Sequence, residues 1–223
     1  MIEWLIIGIL IFAVVWAVYV DHQKKAKKRR LAFIKHYPFP KRVEESVIKA
    51  YPHVSRKDAA LVIEGLREYF AVACMAEGKM VSMPSQAVDV AWHEFLLFTQ
   101  LYQTFCKKAF GHYFHHHPVE AMKSRTVAQE GIKRTWKLAC KRENISPSSP
   151  HKLPILFAID GMLEIPDGFI YQLNCQKQLA NTSGGCGGYC ASHIGCSGEV
   201  GGCGGDGHHG CAGDGCGGGC GGG

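Results

Sequence analysis

The most extended hydrophobic pattern in the chain is an apolar run at its amino-terminal end. Residues 2–20 contain a single charged side chain, Glu3. A helix of this length would be roughly 28 Å long, close to the hydrocarbon thickness of a bilayer. A cleaved signal peptide would carry its positive charge before the apolar run and a small-residue cleavage site after it, and this chain shows neither. The run therefore predicts a single transmembrane helix at residues 1–20.

The segment that follows, residues 21–35, is strongly basic at its start. Six Lys and Arg side chains lie within residues 24–30. Positive charge beside a transmembrane helix favours the cytoplasmic side, where it also meets anionic lipid headgroups. We therefore expect a single-pass membrane protein whose following residues lie in the cytoplasm. The alternative is the reverse topology, with the body outside and disulfide-linked cysteines, and the basic flank argues against it.

Residues 36–180 carry the three-and-four spacing of apolar positions that is typical of helices. Ser55 and Asp58 have the spacing of a capping box and start a helix that runs to about residue 77. Pro84 precedes a long, mostly buried central helix over residues 85–110, which Gly111 ends. Further helices are predicted at 126–142 and 153–163, and a short strand at 168–173. The fold class predicted is all-α.

The last segment, residues 181–223, has a different composition. Residues 182–223 hold 20 of the 27 glycines and 7 of the 11 cysteines. A segment this rich in glycine buries too little apolar surface to offset the entropy that is lost when the chain becomes ordered. We therefore expect a disordered low-complexity tail. Reduced thiolates on a flexible chain can wrap soft metals such as Zn or Cu(I). The alternatives are a flexible extension without a bound ligand and a tail whose thiols are modified or cross-linked. The seven candidate ligands are Cys186, Cys190, Cys196, Cys203, Cys211, Cys216 and Cys220.

Charge excludes one class of function. The chain has a net charge of +6, but most of it comes from the basic segment, and the remainder is nearly neutral. A surface built for nucleic acid would be basic throughout, so no nucleic-acid partner is expected. No glycine-rich phosphate loop or Ser-His-Asp signature occurs, and no catalytic residue is assigned.

A second group of candidate metal ligands lies in the helical domain. Asp89 and His93 are four residues apart, so they share one helix face. Three further imidazoles, His112, His115 and His116, follow Gly111, and neutral imidazoles with a carboxylate suit Zn or another borderline divalent metal. His112 and His116 would share a face if this stretch is helical. The alternatives are a buried hydrogen-bonded Asp89–His93 pair and a solvated histidine turn.

Distance argues against a joint site. From His93 to Gly111 a straight helix would extend about 27 Å, which would hold the histidine cluster far from the pair. Shared ligation would need a kink or a long return segment. Four cysteines of the domain, Cys74, Cys106, Cys140 and Cys175, are scattered and read more simply as small buried side chains.

The order of several short motifs resembles a known family. These are Met83-Pro84-Ser85, Asp89-x-x-Trp92-His93, Tyr102, Cys106, Gly111, His115-His116, Arg134-x-Trp136, Cys140, Leu153-Pro154 to Asp160, and Tyr171 to Cys175 before the tail. Over roughly residues 40–220 the chain resembles the bacterial glycine-rich domain-containing proteins, and is similar to the helical domain of the plant proteins of that name. The resemblance implies an all-helical domain and no particular reaction.

Two functional hypotheses follow. The first is a membrane-anchored, non-enzymatic helical module that presents its Gly/Cys-rich tail to a metal or to a protein partner. The second is a metal-dependent enzyme that uses Asp89, His93 and the cluster at residues 112–117.

Overall fold

The computed structural model describes residues 2–116, 125–173, 189–190 and 194. Those residues form a mostly helical body with one two-stranded parallel sheet, in which Tyr171 pairs with Tyr189. The elements are α1 (Ile2–Lys35), α2 (Lys41–Ala50), α3 (Arg56–Met75), α4 (Gln86–Leu97), α5 (Thr99–Ala109), α6 (Arg125–Arg142), α7 (Ile155–Met162), β1 (Tyr171–Gln172) and β2 (Tyr189–Cys190). The helical fold class is thus confirmed. The predicted tail, residues 181–223, lies outside the described residues except at 189–190 and 194.

Helix α3 forms the centre of the body and contacts α1, α2, α4, α6 and α7. Its start is the predicted capping box: the Ser55 hydroxyl accepts the backbone N–H of Asp58, and the Asp58 carboxylate accepts the N–H of Ser55. On its inner face Phe70 packs 4.9 Å from the ring of Phe105 on α5. Aromatic rings from the α1–α2 connection and from α4 complete this core.

Helix α1 runs without a break through both the apolar run and the basic segment. Its apolar half is long and hydrophobic enough to cross a membrane, and no residue of its most apolar stretch is buried. Its carboxy-terminal half packs on α3 and α5, where Ile34 is fully buried. One rigid element therefore joins the exposed apolar segment to the body.

Arg67 of α3 holds the end of α1 in place. Its guanidinium donates hydrogen bonds to the backbone carbonyls of Ile34, Lys35 and Tyr37, at the end of α1 and just beyond it. The same group lies 5.0 Å from the ring centre of Phe39. The junction between α1 and the body is therefore fixed by charge-assisted hydrogen bonds rather than by a loose linker.

The prediction of one continuous central helix over residues 85–110 was wrong. The helix is interrupted at Phe98, which ends α4 and begins α5 with backbone angles of φ −82° and ψ 60°. The Trp92 indole N–H donates to the Tyr102 hydroxyl at 3.1 Å. In a straight helix these residues would be about 15 Å apart, so this bond requires the bend. The bend also turns Phe95 and Phe105 toward the same aromatic core, 5.4 Å apart.

A buried carboxylate anchors the amino-terminal end of α4. Asp160 on α7 is 1% exposed. It accepts hydrogen bonds from the Ser85 hydroxyl at 2.6 Å and from the backbone N–H groups of Gln86, Ala87 and Phe169 at 2.7, 3.2 and 2.9 Å. Negative charge at a helix amino terminus is favourable, and these donors replace its lost hydration. Asp160 thus sets the position from which α4 presents its side chains.

Candidate metal site

The first two side chains of the site lie one turn apart on α4, as predicted. The Nδ1 atom of His93 is 3.2 Å from Asp89 Oδ2 and 3.0 Å from the backbone oxygen of Asp89. The pair is not buried, however, because the His93 side chain is 53% exposed and that of Asp89 is 22% exposed. The alternative of a buried Asp89–His93 pair was therefore wrong.

The third side chain reaches the site through two changes of direction. The bend at Phe98 redirects α5, and Gly111, at φ +86°, ends it as predicted in a left-handed conformation that favours glycine. The chain then returns along α4, with the Phe114 ring stacked 5.3 Å from that of Trp92 and the Phe114 carbonyl accepting the Tyr102 hydroxyl. This path brings His116 back to α4.

His116 closes the group. Its Nε2 atom lies 3.0 Å from Asp89 Oδ1, and its ring centre lies 4.3 Å from that of His93 and 4.5 Å from that of Trp92. Its side chain is only 13% exposed. The expectation that helix length would separate the histidine cluster from Asp89 and His93 was therefore wrong, because the helix is not straight.

The hydrogen-bond partners indicate which atoms of the group donate and which accept. An ionised carboxylate and a backbone carbonyl only accept, so His116 donates its Nε2–H to Asp89, and His93 donates its Nδ1–H. The carboxylate of Asp89 thus orients two imidazoles at once. A metal cation bound to these two nitrogen atoms would take the place of both protons.

The geometry of the three groups is compatible with a metal ion. One ligand atom from each of Asp89, His93 and His116 lies within 4.8 Å of the others. Ligands of a tetrahedral zinc ion stand about 3.3 Å apart, so only small side-chain movements are needed to enclose one. Two imidazoles and a carboxylate suit Zn and other borderline divalent ions. Three protein ligands also leave a coordination position open.

The other predicted histidines lie outside this group. Residues 112–116 are not helical, so His112 and His116 do not share a helix face. The His112 ring lies 6.2 Å from that of Phe110, and the His115 ring lies 4.8 Å from that of Tyr113. Both histidines line the cavity described below. His117 lies outside the described residues.

The predicted cysteine ligands are not gathered at the site. Cys74, Cys106 and Cys140 are buried free thiols, as expected for small core side chains. Burial raises the pKa of each, that of Cys140 to about 12. Cys175 and the tail cysteines lie outside the described residues, apart from the backbone of Cys190.

A cavity of about 1230 Å³ is lined by two of the three ligands, Asp89 and His116. One wall is the middle of α1, from Tyr19 to Arg30, and the opposite wall carries Asp89, Trp92 and residues 112–116. The charged side chains in its lining are Lys24, Lys27, Arg30, Lys79, Glu77 and Asp89. Asp89 and His116 therefore face a space large enough for a small molecule.

Sequence reasoning missed several residues that build this site. Asp160 positions α4, and the hydrogen-bonded series from Trp92 through Tyr102 to Phe114 positions His116. A carboxylate in the otherwise apolar helix Ile155–Met162 was a usable signal for a buried charge with partners. The bend at Phe98 had no such signal, since neither Gly nor Pro occurs near it.

The chain belongs to the UCP032817-like family, whose model matches residues 29–194. The matched span begins in the basic half of α1 and includes Asp89, His93 and His116. No curated protein and no solved structure matches the chain. The resemblance to bacterial glycine-rich domain-containing proteins stays a prediction.

Proposed function

We propose that this protein is a membrane-anchored helical module that binds a divalent transition-metal ion through Asp89, His93 and His116. The observation that carries the proposal is the convergence of three ligand atoms within 4.8 Å from positions 89, 93 and 116. A local pair alone would follow from helix periodicity, but the third ligand requires the bend at Phe98 and the return after Gly111. Zinc fits the donor set, and other borderline divalent ions fit it as well.

The anchor is proposed to be the apolar run at residues 1–20. The large apolar side chains of Trp4 and of the stretch from Ile6 to Tyr19 are exposed in the isolated chain, so they need an apolar surrounding that the body does not supply. The basic residues after them favour the cytoplasmic side for the body and tail. An impermeant thiol reagent on intact cells tests this orientation. Rapid labelling of the tail cysteines from outside would contradict it.

The Gly/Cys-rich tail is proposed as a separate place for metal or protein binding. Its seven cysteines and the imidazoles of His193, His208 and His209 are soft and borderline ligands on a glycine-rich chain. Because the tail thiols would compete for the metal ion, they must be removed when the site in the body is tested.

The decisive experiment measures metal stoichiometry of the full chain in detergent, with all seven tail cysteines replaced by serine. Elemental analysis after equilibrium dialysis against Zn²⁺ is expected to give one tightly bound ion per chain. Asp89→Ala and His116→Ala should each abolish that binding. His112→Ala is the matched control, because it removes an imidazole from the same loop outside the group. Equal loss in the His112 variant, or no bound ion in the parent, would overturn the proposal.

A metal-dependent enzyme is the second candidate, and the adjoining cavity is the observation in its favour. Catalytic zinc sites keep three protein ligands and one open position, where a bound water becomes acidic enough to act near neutral pH. Asp89 and His116 lie at the wall of a 1230 Å³ space, so a bound molecule could reach that position. Turnover that disappears in the Asp89 variant and persists in the His112 variant would support this candidate.

A further inference from the structure

We propose that the cavity between α1 and the metal-binding group receives the headgroup of an anionic phospholipid from the adjoining membrane leaflet. This inference rests on the proposed anchoring of α1. It deepens the proposed function by giving the site a ligand class. Three features favour this ligand: the position at which the cavity begins, its charge, and the helix face that supplies that charge.

The cavity begins where the apolar run ends. Tyr19 and Val20, the last residues of that run, line the cavity together with Gln23 and Lys24. With α1 across the bilayer, Val20 lies at the edge of the hydrocarbon, and Lys24 lies about 6 Å farther along the axis. Headgroups occupy a layer of about this thickness. A lipid whose acyl chains stay beside α1 can therefore place its phosphate next to Lys24.

The charge of the lining favours an anion. Four basic and two acidic side chains face the cavity, a net charge of +2, and a divalent ion at Asp89 would add to it. Lys24, Lys27 and Arg30 follow each other at intervals of three and lie on one face of α1. Lys27 is paired with Glu77 at 2.5 Å. Within the part of the chain that the structure describes, neither Lys24 nor Arg30 forms an ion pair, so both are available to a phosphate.

Four of the basic residues of α1 form two pairs of equal charge, Lys24 with Arg30 and Lys28 with Arg29. Lys28 and Arg29 lie on the same two turns as Lys24 and Arg30, yet they do not line the cavity. General attraction to an anionic membrane would use both pairs alike. Binding within the cavity would use only Lys24 and Arg30. This division supplies a matched control within the chain itself.

The test is a binding titration on the purified full chain in detergent, using a short-chain phosphatidylglycerol below its micelle concentration. The double variant Lys24→Gln/Arg30→Gln is expected to bind roughly 30-fold more weakly than the parent. Lys28→Gln/Arg29→Gln should change the affinity by less than about threefold, because its charges are solvated and screened. Equal losses in the two double variants would overturn the proposal.

Two further ligands show whether the cavity binds an intact anionic lipid or only its acyl chains or its phosphate. The matched short-chain phosphatidylcholine should bind at least tenfold more weakly, because its headgroup has no net charge. Glycerol phosphate, which has the anion without acyl chains, should compete poorly. Competition by glycerol phosphate at the lipid's own affinity would show a soluble phosphate site and contradict the proposal.

Metal content measured on the same samples keeps the two proposals separate. Lys24 and Arg30 are not metal ligands, so their double variant should retain the bound ion. Lipid selectivity without any bound metal would contradict the metal proposal alone. Bound metal without lipid selectivity would contradict the lipid proposal alone.

Discussion

Trp92 and Tyr102 are joined across the bend between α4 and α5 by a hydrogen bond of 3.1 Å from the indole N–H to the hydroxyl. The hydroxyl in turn donates to the backbone carbonyl of Phe114. Burial raises the pKa of Tyr102, so this hydroxyl stays neutral and keeps its proton. The series links the bend in the helix directly to the segment that carries His116.

Tyr102→Phe is expected to lower the free energy of unfolding by about 1–3 kcal/mol, because the buried N–H of Trp92 and the carbonyl of Phe114 both lose a partner. Metal affinity should fall as well, since His116 is then less firmly placed. Chemical denaturation and a Zn²⁺ titration measure the two effects. Tyr113→Phe is the control, because Tyr113 is 44% exposed. Equal effects in both variants would contradict the role of Tyr102.

Asp160→Asn should destabilise the protein by about 2–4 kcal/mol. The amide has one accepting oxygen and no charge, whereas the carboxylate accepts three hydrogen bonds at the start of α4 and a fourth from the backbone N–H of Phe169. Thermal melts of the full chain measure the change. Asp21→Asn is the comparison, since it removes the same charge from an exposed ion pair with Lys25 and should cost less than about 1 kcal/mol.

His93→Ala should leave the metal-free protein almost as stable as the parent, within about 0.5 kcal/mol, because the side chain is largely exposed. With the ion at 100 times its dissociation constant, the parent should gain about 2.7 kcal/mol, and the variant should gain much less. Melting curves with Zn²⁺ and with a chelator give both comparisons. A variant that is destabilised equally in the two conditions would indicate a structural role for His93.

Asp58 should make stability depend on pH at the acidic end. Hydrogen bonds from the Ser55 side chain and backbone lower the pKa of its carboxyl. The folded pKa is below the unfolded value, so the stabilisation is complete above the unfolded pKa, near 3.9, and is lost as the pH falls through the folded pKa. The stability gap between the parent and Asp58→Asn should therefore shrink from pH 7 to pH 3. In a Ser55→Ala background the gap at pH 7 should already be smaller, because only the backbone N–H of residue 55 still donates to the carboxylate.

The three core thiols should react slowly with alkylating reagents in the folded protein. Burial raises the pKa of Cys74, Cys106 and Cys140, so little of the reactive thiolate exists at pH 8. Peptide-level mass spectrometry after brief iodoacetamide treatment measures each site. The same peptides should label fully in denaturant. Fast labelling of Cys140 in the native protein would contradict its buried position.

The local parts of this structure could be predicted and the long-range parts could not. Ser55 and Asp58 encode the start of α3 within four residues, and the Asp89–His93 contact follows from helix periodicity alone. The bend at Phe98 is held by the hydrogen bond between Trp92 and Tyr102, which are ten residues apart, and by the aromatic core. The approach of His116 to Asp89 depends on that bend. A prediction that assumes straight helices therefore places the two residues far apart.

The hydrogen bonds from Arg67 to the last carbonyls of α1 have a geometric consequence. In the proposed membrane orientation, an unbroken helix joined firmly to the body fixes both the height of the cavity above the bilayer and the direction in which it opens. Each residue inserted into α1 between Val20 and Lys24 would raise the body by about 1.5 Å and rotate it by about 100° around the helix axis. Seven added residues would restore the direction almost completely but would lift the cavity by roughly 10 Å. The length of α1 therefore determines whether the cavity can reach the headgroup layer.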